Sequence, residues 1–526
     1  MFRKATWGIE DEKKLLSQLR SLKRLELLNQ KRVAASTREK YVGGTFNPPS
    51  LDQLPLLIDQ LHSEVNKEVV DALHGLKKIF YYQPPPVDLV LQHDILPVLS
   101  QLLDNQSNKI IVNLVATIVA SLSTTENTQS IQQMIDIGIP CKLANVVKGR
   151  YSIAYANIFE QSYTALANIM ATNDKCRDVC ISYGFVPQFF NLCAQFLANY
   201  DTSKVVDQTL PEALCHMLSA LTSGKTCCSI EIAEQIVPYV FKMGKGFEGD
   251  SSIHILTTLI NLSKFGKDYI QLLVSDAGLI DFLQGIINMK YCDYQIYVMN
   301  FIWNCTEAFP QTLDIVFPLV EPIYDVLSQA SNGVYHYFCQ FLKLYMQNQN
   351  YSMKCLEYVR KYMKTIAGLV SNLCNNCSDT VFDVIEMLMI LIKLYQDKDL
   401  FVKICAKGLV EYGLTALQKQ FILEKKQYAR QLLEMIYMAL KLEESGEVRP
   451  VEMMVEENED EMTNDQKEDY NKMFLQNPPS NRFSANNGFA VLDSLLVECK
   501  EFATEINAVK HQVENMLNMN DDSMAL

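Results

Sequence analysis

The chain has 526 residues, 48% of them hydrophobic, and a formal net charge of −14. That acidity excludes a general nucleic-acid binder, whose phosphate affinity comes from clustered Lys and Arg, and points toward basic partners. The 15 cysteines fall mostly inside apolar helical runs, no signal peptide opens the chain and no apolar run reaches bilayer length, so a protein of the reducing cytoplasm or nucleus without membrane insertion is expected.

Residues 1–50 differ from the remainder of the chain. Asp11 to Arg32 is rich in helix formers and carries Lys13, Lys14, Arg20, Lys23, Arg24, Lys31 and Arg32 against Asp11, Glu12 and Glu26. Leu15, Leu19 and Leu22 add one modest apolar stripe. Two readings stand: a basic helix that is solvated or lies on a membrane surface, and a tail for an acidic partner. Thr45-Phe46-Asn47-Pro48-Pro49 closes the segment.

From Leu51 to about Leu103 the pattern predicts a helix pair, with Leu54, Leu57, Ile58, Leu61 and Val65 on one face. The clearest unit comes next, between Gln129 and Asn173. One helix ends in Met134-Ile135-Asp136-Ile137, the chain breaks at Gly138-Ile139-Pro140, a second helix runs from Cys141 to Lys148, and a third from Ala154 to Met170. Gly138 supplies a left-handed turn without a Cβ penalty, and Pro140 fixes φ at the start of the next helix, where its missing N–H is not needed.

The same hinge recurs at Asp94-Ile95-Leu96-Pro97, Gly184-Phe185-Val186-Pro187, Gln235-Ile236-Val237-Pro238, Gly278-Leu279-Ile280-Asp281 and Val320-Glu321-Pro322. A period of 41 to 51 residues with apolar helices on both sides marks armadillo or HEAT solenoids, in which each repeat buries its faces against its neighbours. Such a core extends along one axis, so the length implies one elongated body and not three or four domains.

Further on, Val334 to Met346, Cys355 to Leu373 and Val381 to Leu394 read as long apolar helices, and Gly408 to Leu440 as a last repeat. Residues 443–469 then carry twelve Asp or Glu against Arg449 and Lys467, a block that cannot bury a core. Leu492, Leu495, Cys499, Phe502, Ile506, Val509, Val513 and Met516 alternate spacings of three and four, a heptad seam that either pairs with another helix or caps the last repeat.

Two segments carry a family resemblance. The run Gln83-Pro84-Pro85-Pro86-Val87-Asp88 before the hinge at Pro97 resembles the first armadillo repeat of the importin-α family, and Leu19-Arg20-Ser21-Leu22-Lys23-Arg24-Leu25-Glu26 with Lys31-Arg32 is similar to its importin-β-binding helix. The resemblance covers roughly residues 3–440. It implies an all-α fold, an armadillo-repeat right-handed superhelical solenoid with a basic N-terminal helix and, in this chain, an extra C-terminal helix. The division expected is an importin-β-binding-like tail at 1–50, the solenoid at 51–441, an acidic disordered linker at 442–485, an amphipathic heptad helix at 486–519 and a disordered end at 520–526.

The resemblance also implies partners and residues. Importin-β would be held through Arg20, Lys23, Arg24, Lys31 and Arg32, and a basic cargo peptide, the nuclear localisation signal, in the concave groove lined by third helices. The family's export receptor is a further implied partner, for a protein shuttling between cytoplasm and nucleus. The family's recurrent groove Asn aligns with Ser121, Asn168, Ala220, Asn261 and Asn304. Such an Asn can bond a peptide backbone through both its carbonyl and its amide, or can simply end or cap a turn. The family's Trp, one turn earlier, falls at Thr117, Thr164, His216, Thr257 and Asn300, none of which is Trp. Trp303 stands beside Asn304 and so points about 100° away on a helix. The slots in which stacked indoles hold lysine stems are therefore absent.

Chemistry for catalysis is missing. Cys374-x-x-Cys377 is a lone pair without a second pair or nearby His, Cys227-Cys228 has no better claim to zinc, and the seven His are scattered. No Gly-rich phosphate loop or nucleophile motif occurs. No enzyme, cofactor or metal is expected. Two functions remain: an importin-α-like adaptor, or an armadillo scaffold that has lost binding of lysine-rich localisation signals.

Overall fold

The structure, a computed structural model, describes residues 49–80, 85–149, 151–199, 209–244, 250–276, 278–288, 292–319, 322–323, 332–347, 352–353, 356–357, 368–375, 378–395, 398–444, 479–498 and 503–524. The expected acidic linker falls mostly outside them. Among the described residues the elements are helices, with no strand, and no single helix is long and apolar enough to cross a membrane. The chain forms two compact units, 1–276 and 277–526.

In the first unit, α1 (Leu54–Gln60) and α2 (Asn66–Ile79) open the stack. Three repeats come next: α3 (Val87–Leu91), α4 (Ile95–Asp104) and α5 (Lys109–Leu122); α6 (Thr128–Asp136), α7 (Ile139–Val147) and α8 (Ala156–Met170); α9 (Asp174–Ser182), α10 (Val186–Asn199) and α11 (Thr209–Leu221). Between the first two helices of each repeat one residue adopts the left-handed conformation: Asp94 at φ 51°, Gly138 at 78° and Gly184 at 70°. Asn side chains start the flanking helices. Asn108, Asn127 and Asn173 each accept backbone N–H groups of the first turn, meeting donors that have no intrahelical partner.

The third helices pack on one another, α5 on α8, α8 on α11 and α11 on α13 (Asp250–Ser263). Their apolar faces are fully buried, as at Val115, Ile118, Leu166, Ile169, Leu214 and Leu218. Each such side chain contributes about 1.5–3 kcal/mol by leaving water. Tyr163 meets Phe189 edge to face at 5.4 Å and so ties α8 to α10.

One expected hinge is absent. Gln235 to Pro238 lies inside a continuous helix, α12 (Ile230–Gly244), with Pro238 in its interior. None of these four residues takes a positive φ, so the left-handed turn found at Asp94, Gly138 and Gly184 is absent here. Pro238 is exposed, so its ring and the carbonyl it leaves unbonded face solvent. The unit closes with α14 (Lys267–Val274).

The second unit contains α15 (Gly278–Asn288), α16 (Cys292–Ala308), α17 (Thr312–Val316), α18 (Asn332–Gln347) and α19 (Ser378–Tyr395), then α20 (Lys398–Ala406), α21 (Leu409–Leu417), α22 (Gln420–Glu424) and α23 (Lys426–Glu444). The long helices α16, α18, α19 and α23 again pack in succession. Gly408, at φ 102°, turns the chain between α20 and α21.

The C-terminal stretch repeats this plan. It forms α24 (Pro479–Ala485), α25 (Gly488–Glu498) and α26 (Ala503–Met524), with Asn487 at φ 53° between the first two. Helix α26 lies on α23 and α24 on α21, the placement a further three-helix repeat would take. Of the heptad positions, Leu492, Ile506, Val509 and Val513 are buried, and Glu505 Oε1 accepts from Arg430 Nε at 2.8 Å.

Candidate functional site

The third-helix face of the first unit is built from residues one turn apart. Asn113, Thr117 and Ser121 on α5, Gln161 and Thr164 on α8, Glu212 and His216 on α11, and His254 on α13 are all part-exposed. Helices α8, α11 and α13 contain no Lys or Arg, and among the described side chains the charges along this face are Glu160, Glu212 and, one turn before Asn113 on α5, Lys109. Thr117 Oγ1 and Ser121 Oγ donate to the carbonyls four residues back, at 2.8 and 3.2 Å, and so lie against their own helix. His216 and His254 stack with ring centroids 4.5 Å apart.

The Asn residues aligned from the sequence sit deeper. Asn168 is 3% exposed, and its Nδ2 donates to Ala120 O at 3.1 Å and Ser123 Oγ at 3.0 Å. Asn261, 6% exposed, makes the same pair of bonds at a later repeat position, to Ser219 O and Thr222 Oγ1, both at 3.3 Å. Both amides thus face the preceding third helix. Of the two aligned Thr, Thr164 is part-exposed while Thr257 is 7% exposed.

In the second unit Asn300 is fully buried and donates from Nδ2 to Tyr337 Oη at 2.7 Å, and Asn304 donates to Asn300 Oδ1 at 3.1 Å. The five cations assigned to importin-β binding, Arg20, Lys23, Arg24, Lys31 and Arg32, lie outside the described residues.

Sequence reasoning missed a polar network in the second unit. Asp383 on α19 is buried and takes hydrogen bonds from three groups on α18: His336 Nδ1 at 2.5 Å, Gln340 Nε2, and Lys343 Nζ at 3.2 Å. Lys343 also reaches Glu386 Oε2 at 2.7 Å, and Tyr428 Oη on α23 donates to Glu386 Oε1 at 2.8 Å. Burial pulls the Lys343 amine down, yet Asp383 and Glu386 outweigh it and leave the pKa raised. Burial first, then Glu386, pushes the Tyr428 hydroxyl up. Lys393 and Glu434 continue the pairing from α19 to α23 at 2.6 Å. The available signal was partner spacing near the repeat period, visible only once the repeats are aligned.

Among the described residues no group of three or more His, Cys, Asp or Glu could hold a metal ion.

No protein-family model matches the chain, and no curated protein does. Solved structures do. An engineered protein superposes with a TM-score of 0.58 at 14% identity, covering 88% of this chain and 99% of its own. A designed armadillo repeat protein in complex with the peptide (KR)4 covers 49% of this chain and 99% of its own, at 18% identity and a TM-score of 0.39. A crystal structure of computationally designed armadillo repeat proteins for modular peptide recognition gives 18% identity and a TM-score of 0.40 over 49% of this chain and 99% of its own. The chain is an all-α armadillo-repeat solenoid.

Proposed function

We propose that the protein is a non-enzymatic adaptor of the importin-α type. The basic tail recruits importin-β through Arg20, Lys23, Arg24, Lys31 and Arg32, and the third-helix face of residues 109–263 receives an extended basic segment of a cargo protein. Carriage between cytoplasm and nucleus, with the family's export receptor returning the empty adaptor, belongs to the same reading. The observation that carries it is the row of part-exposed polar side chains on α5, α8, α11 and α13, which includes Glu212 and on the last three helices neither Lys nor Arg. On α8, α11 and α13 a chain rich in Lys and Arg meets hydrogen-bonding groups and no like charge, whereas Lys109 stands at the start of α5.

A second reading, an interaction scaffold that no longer takes lysine-rich signals, is favoured by a different observation. The positions where indoles would stand are Thr117, Thr164, His216, Thr257 and Asn300, of which Thr257 and Asn300 are buried, and the amides of Asn168 and Asn261 are committed to bonds between repeats.

Capture of importin-β by the full chain, by a chain lacking residues 1–45, and by the Ala variant of Lys23, Arg24, Lys31 and Arg32 tests the proposal. Binding lost in both altered forms, and weakened by salt as screened charges require, supports the adaptor. Equal binding by all three removes it and leaves the scaffold.

A further inference from the structure

Residues 222–229 join α11 to α12 and are seated on the start of α9. The Asp174 carboxylate accepts from Lys225 N at 2.7 Å and Thr226 N at 3.3 Å. Arg177, 1% exposed, donates from Nη1 to the carbonyl oxygens of Ser223 and Thr226, both at 2.5 Å, and from Nη2 to Thr226 Oγ1 at 3.2 Å. Five bonds therefore hold a short loop whose next two residues are Cys227 and Cys228. Both are free thiols outside any helix, with Sγ atoms 3.9 Å apart. Cys227 is part-exposed and Cys228 buried, and Tyr269 Oη donates to the Cys228 carbonyl at 2.8 Å.

We propose that Cys227 and Cys228 form a peroxide-sensitive dithiol that closes reversibly to a vicinal disulfide. The two thiols are unlike in the way such a pair requires. The hydrogen bond from Cys228, helped by the Tyr269 hydroxyl and the Arg177 guanidinium against the opposing effect of burial, lowers the Cys227 pKa. The same contact and burial raise that of Cys228. Elsewhere burial pushes Cys180 and Cys215 up to about 12, which keeps those thiols inert.

In the first step the Cys227 thiolate attacks the distal oxygen of a hydroperoxide. The O–O bond breaks, the departing oxygen takes up a proton and leaves as water or an alcohol, and Cys227 becomes a sulfenic acid. In the second the Cys228 sulfur, losing its proton, attacks the sulfenic sulfur. The S–S bond forms and hydroxide leaves with that proton as water. Two thiols are oxidised by two electrons and the peroxide is reduced by two, and an external dithiol reverses the change. The sulfurs must close from 3.9 Å to about 2.05 Å. Adjacent Cα atoms lie about 3.8 Å apart, below the usual disulfide span of about 4.4 Å or more, so the ring closes only with a turn of the Cys227–Cys228 backbone, in a stretch outside any helix. Ring closure falls next to the Thr226 carbonyl that Arg177 holds, so the oxidation state is felt at the seat of the loop on α9.

The test treats the full chain with equimolar hydrogen peroxide, alkylates the remaining thiols and maps the peptide containing both cysteines by mass spectrometry. The expected result is loss of two hydrogens from that peptide, no alkylation of either cysteine, and recovery of both thiols with dithiothreitol. In Cys228→Ser the Cys227 sulfur should stop at sulfenic acid with one equivalent of peroxide and pass to sulfinic acid with a second, while in Cys227→Ser the Cys228 thiol should survive as a thiol. Alkylation of both cysteines after peroxide, sulfinic acid at Cys227 in the unaltered chain, or a cross-link from either to another cysteine would overturn the proposal.

Discussion

Asn168 on α8 donates its amide hydrogen to the carbonyl oxygen of Ala120, 48 residues earlier and 3.1 Å away. That carbonyl belongs to the last turn of α5, where helical oxygens have no partner within the helix. Ser123 Oγ donates to the same oxygen at 2.9 Å, and in the later pair Thr222 Oγ1 donates to the Ser219 carbonyl at 3.1 Å, so the three-group arrangement occurs twice. It joins the third helix of one repeat to the third helix before it.

Replacing Asn168 or Asn261 by Ala should lower stability by about 0.5–1.5 kcal/mol each, because each buried carbonyl loses one of its two side-chain donors and keeps the hydroxyl. The two sites share no partner, so the double variant should show the sum to within about 0.5 kcal/mol. Thermal unfolding by calorimetry measures this. Peptide affinity of the folded variants should hardly change, and a loss of affinity exceeding the loss of stability would show that these amides turn to a ligand.

Glycine substitutions separate backbone strain from steric conflict. At Gly138 an added Cβ meets nothing within 4 Å, so Gly138→Ala should cost only the left-handed penalty of about 1–2 kcal/mol. At Gly408 the Cβ would come within 2.9 Å of the Tyr412 ring. At Gly224, φ 118°, it would run into the Asp174 carboxylate that anchors the loop at Lys225. Melting temperatures should fall in that order, with Gly224→Ala lowest, and an equal fall at all three would contradict it.

Lys343→Met should be more severe, by about 3–5 kcal/mol, since it leaves Asp383 and Glu386 without their shared cation. The folded pKa of the amine is raised above its ordinary 10.5, so its contribution is complete below that value and is lost as pH rises through the folded pKa. The gap in melting temperature between the unaltered chain and Lys343→Met should therefore be constant at neutral pH and shrink above 10.5. A gap that widens with alkalinity would refute the assignment.

A lysine-rich localisation signal should bind the tail-deleted chain weakly, because each absent cation–π contact forgoes about 0.5–2 kcal/mol. Thr164→Trp should fold normally and recover part of that affinity, since Thr164 is part-exposed. Thr257→Trp should instead destabilise the protein by about 1–3 kcal/mol, since its side chain has no room in the buried layer. Titration of a labelled signal peptide, alongside melting curves, measures both. Submicromolar binding to the unaltered groove would show that other residues replace the indoles.

The repeat was legible from the residues alone. A left-handed glycine and a helix-starting proline act on their own φ, and apolar periodicity acts within one helix, so Gly138, Gly184 and Gly408 could be read without knowing any neighbour. The same locality explains the false hinge at Pro238, where proline without a left-handed residue stays in a helix. Where the polar groups point was settled by packing between distant parts of the chain. Asn168 finds its acceptor 48 residues away, Asp383 its donors 40 to 47 away, and Arg177 its carbonyls 46 and 49 away. Packing also turned a C-terminal heptad pattern into helices stacked as a further repeat, through Asn487 and the burial of Ile506, Val509 and Val513. A side chain's chemistry names what it can bond, whereas the stacking of one repeat on the next selects the partner, and that selection is made through space.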